Sequence, residues 1–515
     1  MTSARFVIGV DNGTGGCKVT VLRNDGAIVA ESFHSYLSHY DEPRWVEQDP
    51  EDWTDAAFAG VRQATASLTD DERARIDGIA FSGPHHTGVL LDEHKRPIRR
   101  AILWNDQRAD VESRELIEQH GELIHSVAHN TPAPTWTLSQ FLWLSKHKPE
   151  EYARTRHVLF MKDYVRWRFS GEMGTDPIEA GGTLFFDIGR GEWSKQLLDL
   201  IGLSPAVLPR IFRPTDVVGT LTAEASERTG LLEGVRVITG TADTAAEVYG
   251  AGAVEVGDAV VKLATAGNYT VIAEHVGDPS VISYGHPVEG LFYLNSATNF
   301  AAASFRWFRE TFFPELAETL SSDELYTRIN AEIAAVPAGS DGLVFHPFLN
   351  GERSPYWDSR LRSSFIGLTS RHTRAHLARA VMEGVCFSIR DAGLVYGDVA
   401  PSVGATVRLI GGGSKSDVWT QIAADVLGMT VEVPASSEAS FGTCLLAATA
   451  SGWYSGLKDA VASTQRVTKS ASPDAHRAAR YDELFGIYRD AVTALTDVTH
   501  RLTRFQDESV GKALS

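Results

Sequence analysis

Residues 6–22 read FVIGVDNGTGGCKVTVL, and how this stretch is divided decides the fold. Phe6 to Val10 is a short continuous apolar run, the pattern of a buried strand. Asp11 to Gly16 is a turn-rich loop, Lys18 to Leu22 alternates like a second strand, and Asn24-Asp25-Gly26 is a hairpin signal. The chain thus opens as strand, Gly/Thr loop, strand. A dinucleotide fingerprint needs a helix after its loop, so it is excluded. A Gly/Thr loop offers backbone N–H groups and a hydroxyl (Thr14) to phosphate oxygens. Asp11 at its mouth can hold water around Mg2+, and Lys18 adds a charge nearby. A plain hairpin with an acidic turn fits the same residues.

A comparable unit recurs half a chain later. Ala259 to Leu263 and Tyr269 to Ile272 read as strands around a short loop carrying Thr265. The two units together suggest an internally duplicated architecture. Gly234 to Thr239 is a further strand, followed by Thr241-Ala242-Asp243 and a small-residue helix to Tyr249. Thr373 to Ala392 is an amphipathic helix capped by Thr373. Thr406 to Ile410 is a strand, Gly411-Gly412-Gly413 a turn, and Ser416 to Leu427 a helix closed by Gly428. Strands alternating with helices make the protein α/β. Gly250, Gly252 and Gly257 form a hinge or turns within one domain. Domains are expected at 1–250 and 251–455, with a helical segment over 456–515.

The 515 residues are too many for one ordinary core. A formal net charge of -18 argues against broad nucleic-acid or anionic-membrane binding. Cys17, Cys386 and Cys444 show no ligand spacing, so disulfide and structural-zinc scaffolds are set aside. No signal-peptide pattern or membrane-length apolar run is seen, and cytoplasm is the default.

Several residues can carry chemistry. Asp243, after a strand, can accept a proton from a hydroxyl attacking a γ-phosphate, or can serve the helix dipole. Gly411-Gly412-Gly413-Ser414-Lys415 allows close approach by adenine or by phosphate. No GxxxxGK[ST] is present, which excludes a Walker-type loop. His85 and His86, at the end of the strand Ile79 to Phe81, can bond sugar hydroxyls. Asn105 and Asp106, within Trp104-Asn105-Asp106-Gln107-Arg108, suit a polyol site because each hydroxyl needs a partner.

Taken in order, these motifs resemble the FGGY carbohydrate kinases over nearly the whole chain. The matches include Asp11-x-Gly13-Thr14 with Lys18, Trp45-Val46-Glu47-Gln48-Asp49-Pro50, Trp104-Asn105-Asp106-x-Arg108 and Lys162-Asp163-Tyr164. They continue through Asp176, Asp243-x-Ala245-Ala246, Thr265-x-Gly267, Asn350-Gly351-Glu352-Arg353-Ser354-Pro355, Gly411 to Ser416, and Glu438-x-x-x-Gly442. The resemblance implies two actin-like (ribonuclease H-like) ATPase domains with mixed sheets, flanking helices and an interdomain cleft. It implies ATP and Mg2+, with Thr14 and Thr265 at phosphates and Gly412, Gly413, Ser414 and Lys415 at the base and ribose. Asp11 would sit near the metal, Asp243 would be the catalytic base beside metal and sugar, and His85, His86, Asn105 and Asp106 would lie toward the sugar. Arg306 would pass near the nucleotide. Within the family the sequence is most similar to xylulose kinases, which typically carry Gln and Met at positions 84 and 85. Glu179 stands where Asp is common. The implied reaction is phosphorylation of D-xylulose; another ketopentose, a pentitol, gluconate or glycerol is the alternative acceptor. A non-catalytic sensor and a chaperone-like ATPase are the competing classes. Nucleic-acid and membrane partners are not expected, and a homodimer is compatible with the family.

Overall fold

A computed structural model describes residues 4–277, 281–317, 319–399 and 403–513. The chain divides into two compact units. Unit 1 comprises Met1–Val254, Glu274–Tyr293 and Ser436–Gln465; unit 2 comprises Glu255–Ala273, Leu294–Ala435 and Arg466–Ser515. The expected division into consecutive blocks therefore changes: residues 436–465 belong with unit 1, and the tail from 466 is part of unit 2. Packing against the strand Phe6–Gly13 and the helix Asp243–Gly250, not sequence order, places 436–465 in unit 1.

In unit 1, β1 (Phe6–Gly13), β2 (Gly16–Arg23), β3 (Ile28–Ser35), β4 (Ile76–Gly83), β5 (Val217–Thr220), β6 (Arg236–Ile238) and β7 (Thr241–Ala242) form a mixed sheet. The order is β5-β6-β4-β1-β2-β3, with β7 also pairing β4. β1, β2 and β3 are antiparallel neighbours, whereas β4 runs parallel to β1, β6 and β7. The β1–β2 ladder continues to the Gly13–Gly16 pair, so only Thr14 and Gly15 form the turn and Asp11 lies inside the strand.

The Phe6–Val10 part of β1 is apolar because it is covered on both faces. Phe6, Ile8 and Val10 enter a core with Trp53, Phe58, Phe81 and Phe169. Val7, on the opposite face, joins Ala80, Ile238, Tyr249 and Leu445. Leu445 comes from the helix Ala439–Ala450, which approaches so closely that a Cβ on Gly9 would lie 2.0 Å from Ser440 O. The same helix meets Asp243–Gly250 through Gly442, where a Cβ would lie 1.9 Å from Ala246 O.

Unit 2 repeats the plan. β8 (Ala259–Leu263), β9 (Gly267–Ala273), β10 (Phe292–Thr298), β11 (Thr406–Ile410), β12 (Thr430–Pro434) and β13 (Val467–Ala471) lie in the order β10-β9-β8-β11-β12-β13. β8–β9 is an antiparallel hairpin and β11 is parallel to β8. In both units the first strand is flanked by its hairpin partner and a parallel fourth strand, which is the duplication expected from the sequence. The helix Arg374–Gly393 packs on β9, with Thr373 as its cap. The fold is α/β with mixed sheets flanked by helices, as in the actin-like ATPases. Among the described residues, no helix is long and apolar enough to cross a membrane.

Candidate active site

In unit 1 the parallel register places Asp11 of β1 beside Ser82 of β4, and Ser82 beside Thr241 of β7. Asp243 follows directly, as the first residue of its helix. The carboxyl ends of three adjacent strands thus converge, the usual location of ligands in open α/β sheets. Ser82 Oγ donates to Asp11 Oδ1 at 2.8 Å. Burial, and next the Asp243 charge, push the Asp11 carboxyl up to about 7. Asp243 Oδ1 accepts from Thr244 N (2.5 Å) and Thr244 Oγ1 (3.1 Å), which fixes its carboxylate at the first turn of its helix. Among the described residues, no cluster of three or more His, Cys, Asp or Glu side chains forms a metal site. The carboxyl oxygens of Asp11 and Asp243 nevertheless fit a hard cation such as Mg2+, which takes one or two carboxylates and completes its shell with phosphate and water.

The Thr14 turn is held from two sides. Trp104 Nε1 donates to Thr14 Oγ1 at 2.9 Å, and Gln48 Nε2 to Thr14 O at 2.8 Å. Lys18, opposite Asp11 in the ladder, lies 3.1 Å from Glu31 and 3.8 Å from Glu438.

Asp106 differs from its expected role. It is fully buried, and its carboxylate accepts from Val46 N at 2.6 Å, Arg108 N at 2.8 Å, and Arg108 Nε and Nη2. Arg108 in turn lies 3.8 Å over the Trp45 ring. Asp106 therefore anchors its loop, and a bidentate charge pair two residues apart leaves it no lone pair for a sugar. Asn105 Oδ1, by contrast, is buried with no partner in the protein.

His86 is also engaged: Nδ1 meets Gly182 O at 2.5 Å and Nε2 meets the Tyr284 hydroxyl at 3.0 Å. His85 stacks on Tyr284 with centroids 4.4 Å apart, and its Nε2 lies 3.1 Å from the Tyr293 hydroxyl. Burial holds both imidazoles neutral, His86 down to about 4 and His85 well below the usual range. Trp136 closes the far side, 4.3 Å from His86. Beneath the histidines, Lys162 pairs with Asp163 (2.6 Å) and Asp176 (2.9 Å). Asp176 Oδ2 accepts from Thr241 Oγ1 at 2.9 Å, tying this buried ion network to the strand that presents Asp243.

In unit 2, Thr265 is exposed in the β8–β9 turn, and its carbonyl accepts from Ala301 N at 3.0 Å. The helix Ala302–Phe312 therefore begins at this turn, with Arg306 exposed on it. The Gly411 to Lys415 segment leans on the same place. Gly411 has φ +85 and a Cβ there would lie 2.7 Å from Leu263 O; at Gly413 a Cβ would lie 2.6 Å from Leu263 Cβ. These two glycines are required by the strand end, while Gly412 faces open space. Ser414 is buried and Lys415 exposed. Lys469 of β13 fixes the turn by donating to Ser414 O (3.1 Å) and Lys415 O (3.2 Å) and pairing with Asp417 (2.5 Å). Beside the next helix, Asp417–Leu427, a cleft of about 470 Å³ is lined by Val336, Pro337, Val418, Gln421 and Ile422 among others.

Two family descriptions match this arrangement of hairpins and strand ends: the N-terminal domain of the FGGY family of carbohydrate kinases over residues 6–250, and its C-terminal domain over 265–451. The chain belongs to the FGGY family of carbohydrate kinases. Its enzyme class is therefore ATP-dependent sugar phosphotransferase. A xylulose kinase of Bacillus subtilis is 33% identical over 506 residues, 98% of this chain and 99% of that one. The crystal structure of a xylulose kinase from Rhodospirillum rubrum superposes with a TM-score of 0.88 at 29% identity, covering 96% of this chain and 100% of that one. A gluconate kinase from Lactobacillus acidophilus does so with a TM-score of 0.88 at 26% identity, covering 96% and 98%.

Seen in this FGGY kinase, the Asn350 to Pro355 motif has a clear physical task. Glu352 is buried and accepts from Asn299 N (2.6 Å), Arg353 N (2.8 Å) and Ser388 Oγ (3.2 Å). Arg353 Nη2 donates to Thr298 O at 2.9 Å. Together they lock residues 298–299, which lead into the helix at the Thr265 turn. Burial pushes the Glu352 carboxyl up to about 7 from an ordinary value of 4.5. The folded protein thus holds a proton that the unfolded chain releases between these values. Stability should fall as pH rises from about 4.5 to about 7 and then level off. Glu352→Gln removes that slope; denaturant midpoints measured across the range check it, and an unchanged slope overturns the assignment.

Tyr284, Tyr293, Trp136 and Lys469 were not singled out from the sequence. The two tyrosines lie about 200 residues from the histidines they touch, and nothing local signals that meeting.

Proposed function

We propose that this chain transfers the γ-phosphate of ATP to a hydroxyl of D-xylulose, giving D-xylulose 5-phosphate, with Asp243 as the general base. The observation that carries the chemistry is the convergence of Asp11, Ser82 and Asp243 at three strand ends. Full-length similarity to xylulose kinases supports the acceptor. Asp243 takes the proton from the attacking hydroxyl, and the Thr244 bonds hold its carboxylate in place. Mg2+, held by Asp11 and Asp243, would neutralise charge on the phosphates. Thr14 and Thr265, with turn amides, are assigned to phosphate oxygens. Gly412, Gly413, Ser414 and Lys415 are assigned to the base and ribose, with Arg306 nearby. His85, His86 and Asn105 are assigned to the sugar side, Lys18 to charge balance around Asp11, and Asp106 to positioning Asn105. Cytoplasm is the proposed compartment.

Lys469→Met, which frees the two turn carbonyls, should raise the KM for ATP about tenfold, the worth of one charge-assisted hydrogen bond, with the acceptor KM little changed. Equal shifts in both constants would remove Lys469 from the nucleotide side.

Gluconate is the second reading, favoured by the gluconate kinase structure. The deciding experiment is ADP release with Mg-ATP across D-xylulose, D-ribulose, xylitol, gluconate and glycerol. Preference for D-xylulose supports the reading, preference for another acceptor replaces it, and ATP binding with no turnover on any acceptor favours a sensor.

A further inference from the structure

Two buried side chains of unit 1 that lack hydrogen-bond partners at facing atoms stand side by side. Glu179, in the short helix Pro177–Gly181, is fully buried, and neither of its carboxyl oxygens has a hydrogen-bond partner. Its Oε2 stands 3.8 Å from Nδ1 of His85, which is also buried and unpartnered. That separation is too long for a direct hydrogen bond, yet one oxygen placed beside the pair reaches both atoms. Buried polar groups in native proteins find a partner in protein, water or ligand, so this pair is set to receive one.

His85 is clamped where it stands. Tyr284 stacks on its ring, Tyr293 engages Nε2, and Gly182 lets the chain pass close, since a Cβ there would lie 2.5 Å from Nδ1. The ring cannot turn to relieve Nδ1 without losing these contacts. The setting also selects by charge. Besides burial, the charges that act most on Glu179 are Lys162 and, against it, the carboxyl groups of Asp163, Asp176 and Asp243, while Arg166 stands 3.8 Å from Asp163. Lys162 is already paired with Asp163 and Asp176. An incoming carboxylate would add negative charge where burial already disfavours it. A hydroxyl brings no charge and can both donate and accept.

Resting on the reading that this end of unit 1 receives the acceptor, we propose that Glu179 and His85 jointly bind one hydroxyl of a neutral polyhydroxy acceptor and select it over a sugar acid.

The test uses the full chain, with calorimetric binding and steady-state turnover of D-xylulose, xylitol and D-gluconate. In the wild type, the neutral acceptors should bind at least about tenfold tighter than gluconate. Glu179→Ala and His85→Phe, the latter keeping a ring on Tyr284, should each weaken neutral-acceptor binding about 10- to 100-fold, appearing mainly in KM. The double variant should be no weaker than the worse single one, because both groups serve the same hydroxyl. Glu179→Gln, which keeps a donor and an acceptor in place, should recover part of the loss. Unchanged binding in folded variants, strictly additive losses, or tighter binding of gluconate would each overturn the proposal. If Glu179→Ala does not fold, His85→Phe decides alone. Binding of D-xylulose without turnover overturns the functional reading and leaves the pair standing. Failure of every neutral acceptor to bind overturns both.

Discussion

Asp243→Ala lowers kcat by roughly 10²–10⁴, the usual worth of a positioned general base. The same substitution removes the oxygen that accepts from Thr244 N and Oγ1, so it also costs about 0.5–1.5 kcal/mol of stability in the first helical turn. Asp243→Asn separates the two effects. The amide oxygen still accepts from Thr244, yet the side chain cannot take a proton at neutral pH. Steady-state ADP release and denaturant unfolding on both variants give the answer. If Asp243 is the base, both lose kcat and only the alanine variant loses stability. Near-normal kcat in folded Asp243→Asn sinks the assignment and leaves a residue that only organises the first helical turn.

The second large effect is at Gly442. In a helix interior, replacing Gly by Ala ordinarily adds about 0.5–1 kcal/mol of stability. Here the sign should reverse. The added Cβ would lie 1.9 Å from Ala246 O and 2.7 Å from Ala246 C, both backbone atoms of the Asp243–Gly250 helix. Backbone cannot rotate aside, so one helix must shift. We expect Gly442→Ala to lose at least about 3 kcal/mol, the upper end of ordinary overpacking, a large share of the ~5–15 kcal/mol that typically separates folded from unfolded. Because the displaced helix carries Asp243, kcat falls as well. Urea unfolding and turnover of the soluble fraction are the measurements; stability equal to or above wild type would show that the helices have room to part.

Local elements were legible because each carries its own pattern. Ala259–Leu263 and Thr406–Ile410 have the bounds read from the sequence, since each is a short run rich in β-branched residues with a glycine two positions before it. β1 and β2 were read too short, because Asp11, Asn12 and Gly13 look like turn residues while their backbones continue the ladder. The placement of Asp11 and Asp243 near strand ends was legible, because each follows a short apolar run. It was misread at Asp106, whose partner Arg108 was in view: a polar run after a strand has the same composition whether its groups bind one another or a sugar. The Tyr284–His85 stack and the Lys469 clamp join residues far apart in the chain, which periodicity cannot register.

The helix Ala439–Ala450 has a consequence for how the protein is made. It covers the face of β1 that bears Val7 and Gly9, yet it is encoded more than 400 residues later. A nascent chain emerging from the ribosome therefore carries its first sheet half-covered while most of unit 2 is still being synthesised. During that interval Val7, Ala80 and Ile238 offer a greasy surface to chaperones and to neighbouring nascent chains. Completion of the N-terminal unit is a late event in biosynthesis, and a fragment cut after residue 250 would keep that surface for good.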